Sequence, residues 1–243
     1  MIPPGFRLQI HEALPSTQDP LTRLAQAGEP EGLAFLARRQ TAGRGTQGRV
    51  WEGPVGNLHL SILLRPEEPI RLAPQWGLLA GVALTDALLP LLPDPAMLAL
   101  KWPNDLLLGS AKVAGILTES ATDDRGSIAW VVLGIGVNLA RAPELPGRAT
   151  ASLAGLGIAP PAPEDFAARL LVALDARRRQ RQVEGFAPIR DAWLARGPKE
   201  GSALAIRRQG AEIAGHFAGL AEDGSLRVAV GGRVQTLASG EIV

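Results

Sequence analysis

The sequence predicts an α+β protein, with strands and helices sharing one core and a small β-barrel at the C-terminal end. Three observations carry this. Leu58, Leu60, Ile62 and Leu64 recur with period two, the mark of a strand with one face in a core. Residues 128–137 are apolar nearly throughout, which suits a central strand buried on both faces. Beyond Gly197-Pro198, strand-like runs at 203–207, 211–218, 226–230 and 234–237 alternate with glycine-containing turns, the texture of a small barrel. A boundary is therefore expected near Gly197, dividing the chain into domains 1–196 and 197–243.

In chain order, Phe6 to Ile10 reads as a short strand. Ser16-Thr17-Gln18-Asp19 opens a helix, in which Ser16 can cap, Asp19 sits in the first turn and Pro20 suits an N-terminal position. Leu21, Leu24 and Ala25 give that helix its buried stripe, and Gly28 ends it. Leu33 to Arg38 is the next strand, and Pro74 to Leu89 an apolar helix. Met97 to Lys101 is a strand leading into Lys101-Trp102-Pro103-Asn104-Asp105. Pro103 restricts Trp102 to extended geometry, and Asn104-Asp105 favour a turn. Leu106 to Leu108 and Lys112 to Glu119 then complete a hairpin with Lys101 and Lys112 near one end. The strand at 128–137 closes on Gly134-Ile135-Gly136-Val137-Asn138, whose glycines permit close approach of a ligand or neighbouring strand.

Residues 140–162 are loop-like. Glu164 to Val183 is a helix with Phe166, Leu170, Leu171 and Leu174 inward, and Phe186 to Ala195 is the last helix. The run Arg177-Arg178-Arg179-x-Arg181 most simply complements the dipole at a helix C-terminus. One short basic run without a basic domain is a weak nucleic-acid signal.

The stretch Gln40-Thr41-Ala42-Gly43-Arg44-Gly45-Thr46-Gln47-Gly48-Arg49-Val50-Trp51 reads as a loop between two strands. Its glycines let a backbone approach a ligand closely, its two arginines suit phosphate or carboxylate oxygens, and Trp51 offers a stacking face. The spacing Gly43-x-Gly45-x-x-Gly48 matches a dinucleotide-binding fingerprint, but that fingerprint requires a helix to open at the last glycine. Here the chain runs on into the strand at 58–64 instead. No Gly-Lys-Ser or Gly-Lys-Thr follows, which excludes a Walker A loop. What remains is an anion-binding loop ending in a stacking residue.

Composition bounds the function classes. The 243 residues are 46% hydrophobic and 20% charged, an ordinary globular balance, and the net charge of +1 suggests neither a nucleic-acid nor a membrane surface. The absence of cysteine removes disulfides, thiolate metal sites and thiol nucleophiles. No signal peptide is evident, and the apolar run at 84–92 is interrupted by Asp86 and Pro90, so a soluble cytoplasmic protein is the default expectation. Of the 25 basic residues only Lys101, Lys112 and Lys199 are lysines, which directs attention to residues 101–119.

Taken in order, Ser16-Thr17-Gln18, the Gln40–Trp51 stretch, Gly56-Asn57-Leu58, Lys101-Trp102-Pro103-Asn104-Asp105, Lys112-x-x-Gly115-Ile116-Leu117-x-Glu119 and Gly134-Ile135-Gly136-Val137-Asn138 resemble the motifs of biotin protein ligases. The resemblance spans the whole chain. It implies a catalytic domain like the mixed-sheet core of class II aminoacyl-tRNA synthetases, with an SH3-like C-terminal domain. The chain begins directly at the catalytic domain, so the resemblance is to the form without the winged helix that binds operator DNA, and no nucleic-acid or membrane partner is expected. The implied reaction forms biotinyl-5′-AMP from biotin and ATP, with magnesium, then passes biotin to a lysine of a biotin carboxyl carrier protein.

By resemblance, Lys112, Arg44 and Asp105 are the catalytic set. Biotin is expected to meet Ser16, Thr17, Gln18, Gln40, Gly43, Arg44, Gly45, Thr46, Lys112 and Gly115. ATP and the adenylate are expected to meet Arg44, Arg49, Trp51, Lys101, Asn104, Lys112 and Asn138. Asp105 would orient or deprotonate the incoming amine, bind magnesium, or pair with Lys101; the metal ligands stay open, as does the choice between monomer and homodimer. Thr46 departs from the family, which often has arginine there, and weaker retention of the adenylate is expected. Competing expectations are a lipoate or octanoate transferase of the same fold and a biotin-binding module without catalysis.

Overall fold

The period-two run at 58–64 pairs on both sides, and the main sheet grows outward from it. A computed structural model describes residues 1–145, 147–208 and 210–242. Strand β1 (Arg7–His11) precedes helix α1 (Gln18–Gln26), and β2 (Leu33–Ala37) precedes a small hairpin of β3 (Gln40–Arg44) and β4 (Val50–Gly53). Then come β5 (Leu58–Leu64), helix α2 (Pro74–Leu88), β6 (Leu98–Lys101), β7 (Asp105–Leu108), β8 (Ala111–Thr122) and β9 (Ile128–Val137). The seven-stranded sheet has the order β1-β2-β5-β9-β8-β7-β6. Its first pair is parallel and the others antiparallel, so the sheet is mixed.

The two faces of the sheet are covered differently. Leu21 and Ala25 of α1 pack with Leu33, Phe35, Leu63, Trp130 and Val132 in a minor cluster. On the other face, Leu58, Leu60, Ile62, Leu64, Leu133, Ile135 and Val137 meet α2, α3 (Pro163–Glu184) and α4 (Ala187–Leu194) in the main core. Strand β9 is central, as its composition implies, but it is covered on both faces only in its first half. At Gly134 and Gly136 the α1 side opens into a cavity. Helical structure around α2 runs over Ile70–Leu91, 22 residues and apolar enough to cross a membrane, which is longer than the broken run in the sequence suggests. Most of it is buried inside the fold, where α2 is the core helix.

One expectation is corrected here. The arginine cluster of α3 does not chiefly serve the helix dipole. Arg177 holds Asp86 through two bonds of 2.7 and 3.0 Å, Arg178 pairs with Glu31 at 2.9 Å and Arg179 with Asp175 at 2.9 Å. Arg181, 9% exposed, grips Glu68 and Gln75 and lies 4.7 Å from the centre of the Trp76 ring. A cation so buried needs such partners, and α2 and the segment before it supply them.

The C-terminal strands are β10 (Ala203–Arg208), β11 (Ala211–Leu220), β12 (Leu226–Val230), β13 (Arg233–Leu237) and β14 (Glu241–Ile242). They form an antiparallel sheet in the order β13-β12-β11-β10-β14, with no pairing of β13 to β14 among the described residues. A closed barrel is thus not observed: β14 offers two positions, and both are spent on Ile206 and Arg207. The sheet joins the main core through Ile206, Phe217, Leu220, Leu226 and Val228. The Trp102 indole donates to Gly224 O at 3.3 Å, and the Gln75 amide donates to Glu222 O at 2.6 Å.

Candidate active site

Above Gly134 and Gly136 lies a pocket of about 660 Å³, walled by the start of α1, the β3–β4 hairpin, strands β5 and β7–β9, Pro143, Leu145, residues 147–150 and strand β14. This is the size of a small-molecule site. Ser16, Thr17, Gln18, Gln40, Arg44, Gly45, Thr46, Arg49, Trp51, Lys101, Asn104, Asp105, Lys112, Gly115 and Asn138 all line it. Of the expected set only Gly43 does not. Its role is internal to the hairpin, where it faces Trp51 and an added Cβ would stand 2.3 Å from Trp51 O.

One end of the pocket is polar and nearly dehydrated. Ser16, Thr17, Gln18 and Ser61 are each at most 3% exposed. Thr17 is the residue preceding α1, yet its hydroxyl does not cap the helix. It stands 2.8 Å from Ser61 Oγ and 3.1 Å from Gln40 Oε1, while Ser16 Oγ accepts the Gln18 N–H at 3.2 Å. Gln18 is saturated by protein: its amide donates to Glu119 at 3.1 Å and to Val132 O at 3.2 Å, and its oxygen accepts from Ser61. It therefore supports the pocket wall. Gln40 spends its oxygen on Thr17, and its amide nitrogen has no protein acceptor among the described residues.

Two residues further along β9, the floor changes character. Gly115 and Gly136 are partners across β8 and β9, and the Trp51 indole lies on them. A Cβ at Gly136 would come within 2.3 Å of that ring, so Gly136 excludes any side chain while Trp51 occupies this place, and at Gly115 a Cβ would be tight at 3.1 Å from the same ring. Lys112 Nζ is 5.5 Å from the Trp51 ring centre and 2.5 Å from Asp105 Oδ1. The latter is an ion-pair distance, and among the described residues Oδ1 has no other partner. Asp105 is thus paired with Lys112, although Lys101 stands opposite it in the β6–β7 register. The Lys112 backbone is held by Ala149 O and by the N–H of Ala151, both at 2.9 Å. Asn104 donates to Ile116 O at 2.7 Å and Asn138 to Lys112 O at 3.5 Å, so both asparagines stiffen this floor. Asn57 fixes the rim by accepting from the backbone of Ala140 and Arg141 and donating to Arg141 O.

The expected loop is a short hairpin, turned at Thr46–Gly48, and its arginines point to different anchors. Arg44 Nε donates to Asp19 at 2.8 Å and Nη2 to Glu119 at 3.2 Å. Partial burial works against its charge, but Asp19 and Glu119 outweigh that and raise its pKa. Arg49 donates to Thr46 through O and Oγ1 at 3.1 and 3.0 Å, and to Glu241 of β14 at 2.7 Å. The Rossmann context is absent, because strand β4 follows the turn where a helix would have to open.

A model of the biotin/lipoate A/B protein ligase family matches residues 11–138, more than half of the chain. The chain belongs to that family. A biotin–[acetyl-CoA-carboxylase] ligase of Paracoccus denitrificans is 42% identical over 202 residues, covering 79% of this chain and 81% of that protein. Its counterpart in Mycobacterium tuberculosis is 35% identical over 93% of this chain and 84% of its own length. Among solved structures, a biotin protein ligase from Aquifex aeolicus in complex with biotin and ATP superposes with a TM-score of 0.80 at 26% identity, covering 98% of this chain and 97% of that one.

For a member of this ligase family, the residues that sequence reading missed are informative. His59, Ser61, Arg148, Arg207 and Glu241 also line the pocket. Ser61 and His59 carried a readable signal, being polar residues at alternate positions of a strand otherwise made of leucine and isoleucine. Glu241 carried none, because its partner Arg49 lies 192 residues away.

Proposed function

We propose that the chain joins biotin to ATP as biotinyl-5′-AMP, releasing pyrophosphate, and then transfers biotin to a lysine of a biotin carboxyl carrier protein. The observation that carries this is the division of one pocket along β9, with a dehydrated hydroxyl and amide set level with Gly134 and the Lys112 ammonium level with Gly136. Two strand residues separate them by roughly 7 Å. A ureido ring at the first end would find matched partners in Ser16, Thr17 and Gln40. A lipoyl or octanoyl chain would offer no acceptor to the Gln40 amide nitrogen and no donor to the spare lone pairs of Ser16 and Thr17, which is how polar sites reject analogues.

In the first step a carboxylate oxygen of biotin attacks the α-phosphorus and pyrophosphate leaves. Two anions must meet, so Lys112 offsets the charge that develops there, with Arg44 and Arg49 as further cations. Trp51 covers the adenylate, and Lys101, Asn104 and Asn138 flank the nucleotide. In the second step the acceptor amine attacks the acyl carbon, loses a proton and displaces AMP, with Asp105 orienting or deprotonating it. Magnesium would enter as the ion carried by the triphosphate rather than on a protein site of its own. No group of three or more His, Cys, Asp or Glu residues is gathered among the described residues, and magnesium commonly takes most ligands from phosphate oxygens and water. Thr46, which carries no charge of its own and accepts from Arg49, would weaken retention of the adenylate.

The finer architecture belongs to the same proposal: residues 1–196 as a catalytic domain like class II synthetases, and 197–243 as an SH3-like unit. The test is pyrophosphate release on adding biotin, ATP and magnesium, with lipoate in parallel. Release with biotin alone supports the reading. Release with lipoate alone replaces it, and binding of biotin without release leaves a binding module.

A further inference from the structure

Glu241 stands where no local pattern would place a pocket residue, and two arginines from separate segments converge on it. Arg49, at the end of the hairpin turn, donates to Glu241 Oε1 at 2.7 Å. Arg148, from the segment before β8's backbone partners, lies 3.7 Å from the same oxygen. The charge of Lys101 acts on it as well, and all four residues line the pocket. Burial alone would raise the Glu241 pKa, but the bond and charge of Arg49, then Arg148 and Lys101, bring it below the usual carboxylate value.

We infer that Glu241 is an internal counter-anion: its carboxylate holds Arg49 and Arg148 together beside Lys101 at the place where the polyphosphate of ATP binds, and yields them when ATP arrives. This rests on the proposed function. The argument is electrostatic. Three cations brought together without an anion repel one another, and a carboxylate fixed on β14 relieves that repulsion before substrate is present. The pairs are partly exposed, so each is weak. A triphosphate carries more charge and more acceptor oxygens than one carboxylate, and arginine forks bind phosphate in bidentate fashion. Substrate therefore outcompetes Glu241 without a large barrier. Glu241 is a positioning residue, acting through Arg49 and Arg148.

Removing the charge while keeping the shape should expose this competition. In Glu241→Gln, inorganic pyrophosphate should bind about three- to tenfold more tightly by calorimetric titration, the scale of one or two partly exposed ion pairs. The KM for ATP should fall by a similar factor, with biotin affinity unchanged and kcat less affected. Arg148→Gln should shift pyrophosphate binding the other way. Pyrophosphate binding that is unchanged or weaker in Glu241→Gln overturns the inference, as does a parallel loss of biotin affinity, which marks a structural latch. Unchanged pyrophosphate binding in Arg148→Gln also counts against it. The titration needs no turnover, so it stays decisive even if wild-type protein releases no pyrophosphate from biotin and ATP, a result that would instead reject the proposed function.

Discussion

Lys112 is the residue on which the chemistry turns, because its ammonium sits between a carboxylate and an aromatic ring at the cationic end of the pocket. Replacing it by alanine should slow adenylate formation by about 100- to 1,000-fold, the usual cost of one preorganised charge-stabilising donor. Transfer from pre-made biotinyl-5′-AMP should suffer less. Single-turnover assays of the two half-reactions would separate these, and equal rates in mutant and wild type would deny Lys112 a catalytic role. His59 makes a different prediction. It is 1% exposed, Nε2 meets Pro54 O at 3.2 Å and Nδ1 has no partner among the described residues. Burial pushes its pKa below 6.5, only partly opposed by the Pro54 bond. The unfolded chain therefore gains a proton near pH 6.5 that the folded one declines, so stability is full above that pH and falls as pH drops below it. Denaturant melts at pH 7.5 and 5.5 should show this loss, and His59→Gln should lessen it.

At the scale of elements, what the sequence revealed follows from how each element is stabilised. β5, β9, α2 and α3 bury a periodic apolar face, and periodicity is readable. The β3–β4 hairpin buries almost none: its pattern is mainly exposed, and cross-strand fits such as Gly43 to Trp51 hold it, so it reads as a loop. The site residues near α1 and Lys112 were legible as short motifs, whereas Glu241 and Arg148 depend on chain segments that meet only in the fold. An element held by few buried contacts should open readily. Amide hydrogen exchange over residues 43–56 should be fast in free protein and slow sharply with biotin and ATP; equal protection in both states would reject ligand-dependent ordering. The arginine cluster predicts the opposite behaviour. Arg181 ties α3 to Glu68 and Gln75 in a nearly dry setting, and removing one partner of a buried pair typically costs about 3–5 kcal/mol. Glu68→Ala should approach the lower end of that range in urea melts, because Glu68 keeps some contact with water; a cost near zero would mean that Arg181 finds water instead.

Across the whole molecule, one core runs from the main sheet into the C-terminal sheet, and the last strand returns to the pocket. The proposed boundary near Gly197 therefore divides sequence texture more than it divides packing, since Trp193 and Phe217 lie on either side of it with ring centres 6.5 Å apart. The C-terminal sheet makes the same point: strand number was readable from turns, but how the outermost strands pair among the described residues depends on a two-residue segment with no pattern of its own. The seat of Trp51 on the paired glycines has an optical consequence. The chain has five tryptophans and no tyrosine, and Trp76, Trp102, Trp130 and Trp193 are at most 7% exposed in the core. Only Trp51 belongs to the pocket lining, beside the Lys112 ammonium. Any ligand that moves it off the glycines must alter its surroundings while the other four keep theirs. Fluorescence should thus change on adding biotin and ATP, and Trp51→Phe should abolish that change, which makes the protein its own emission gauge for occupancy.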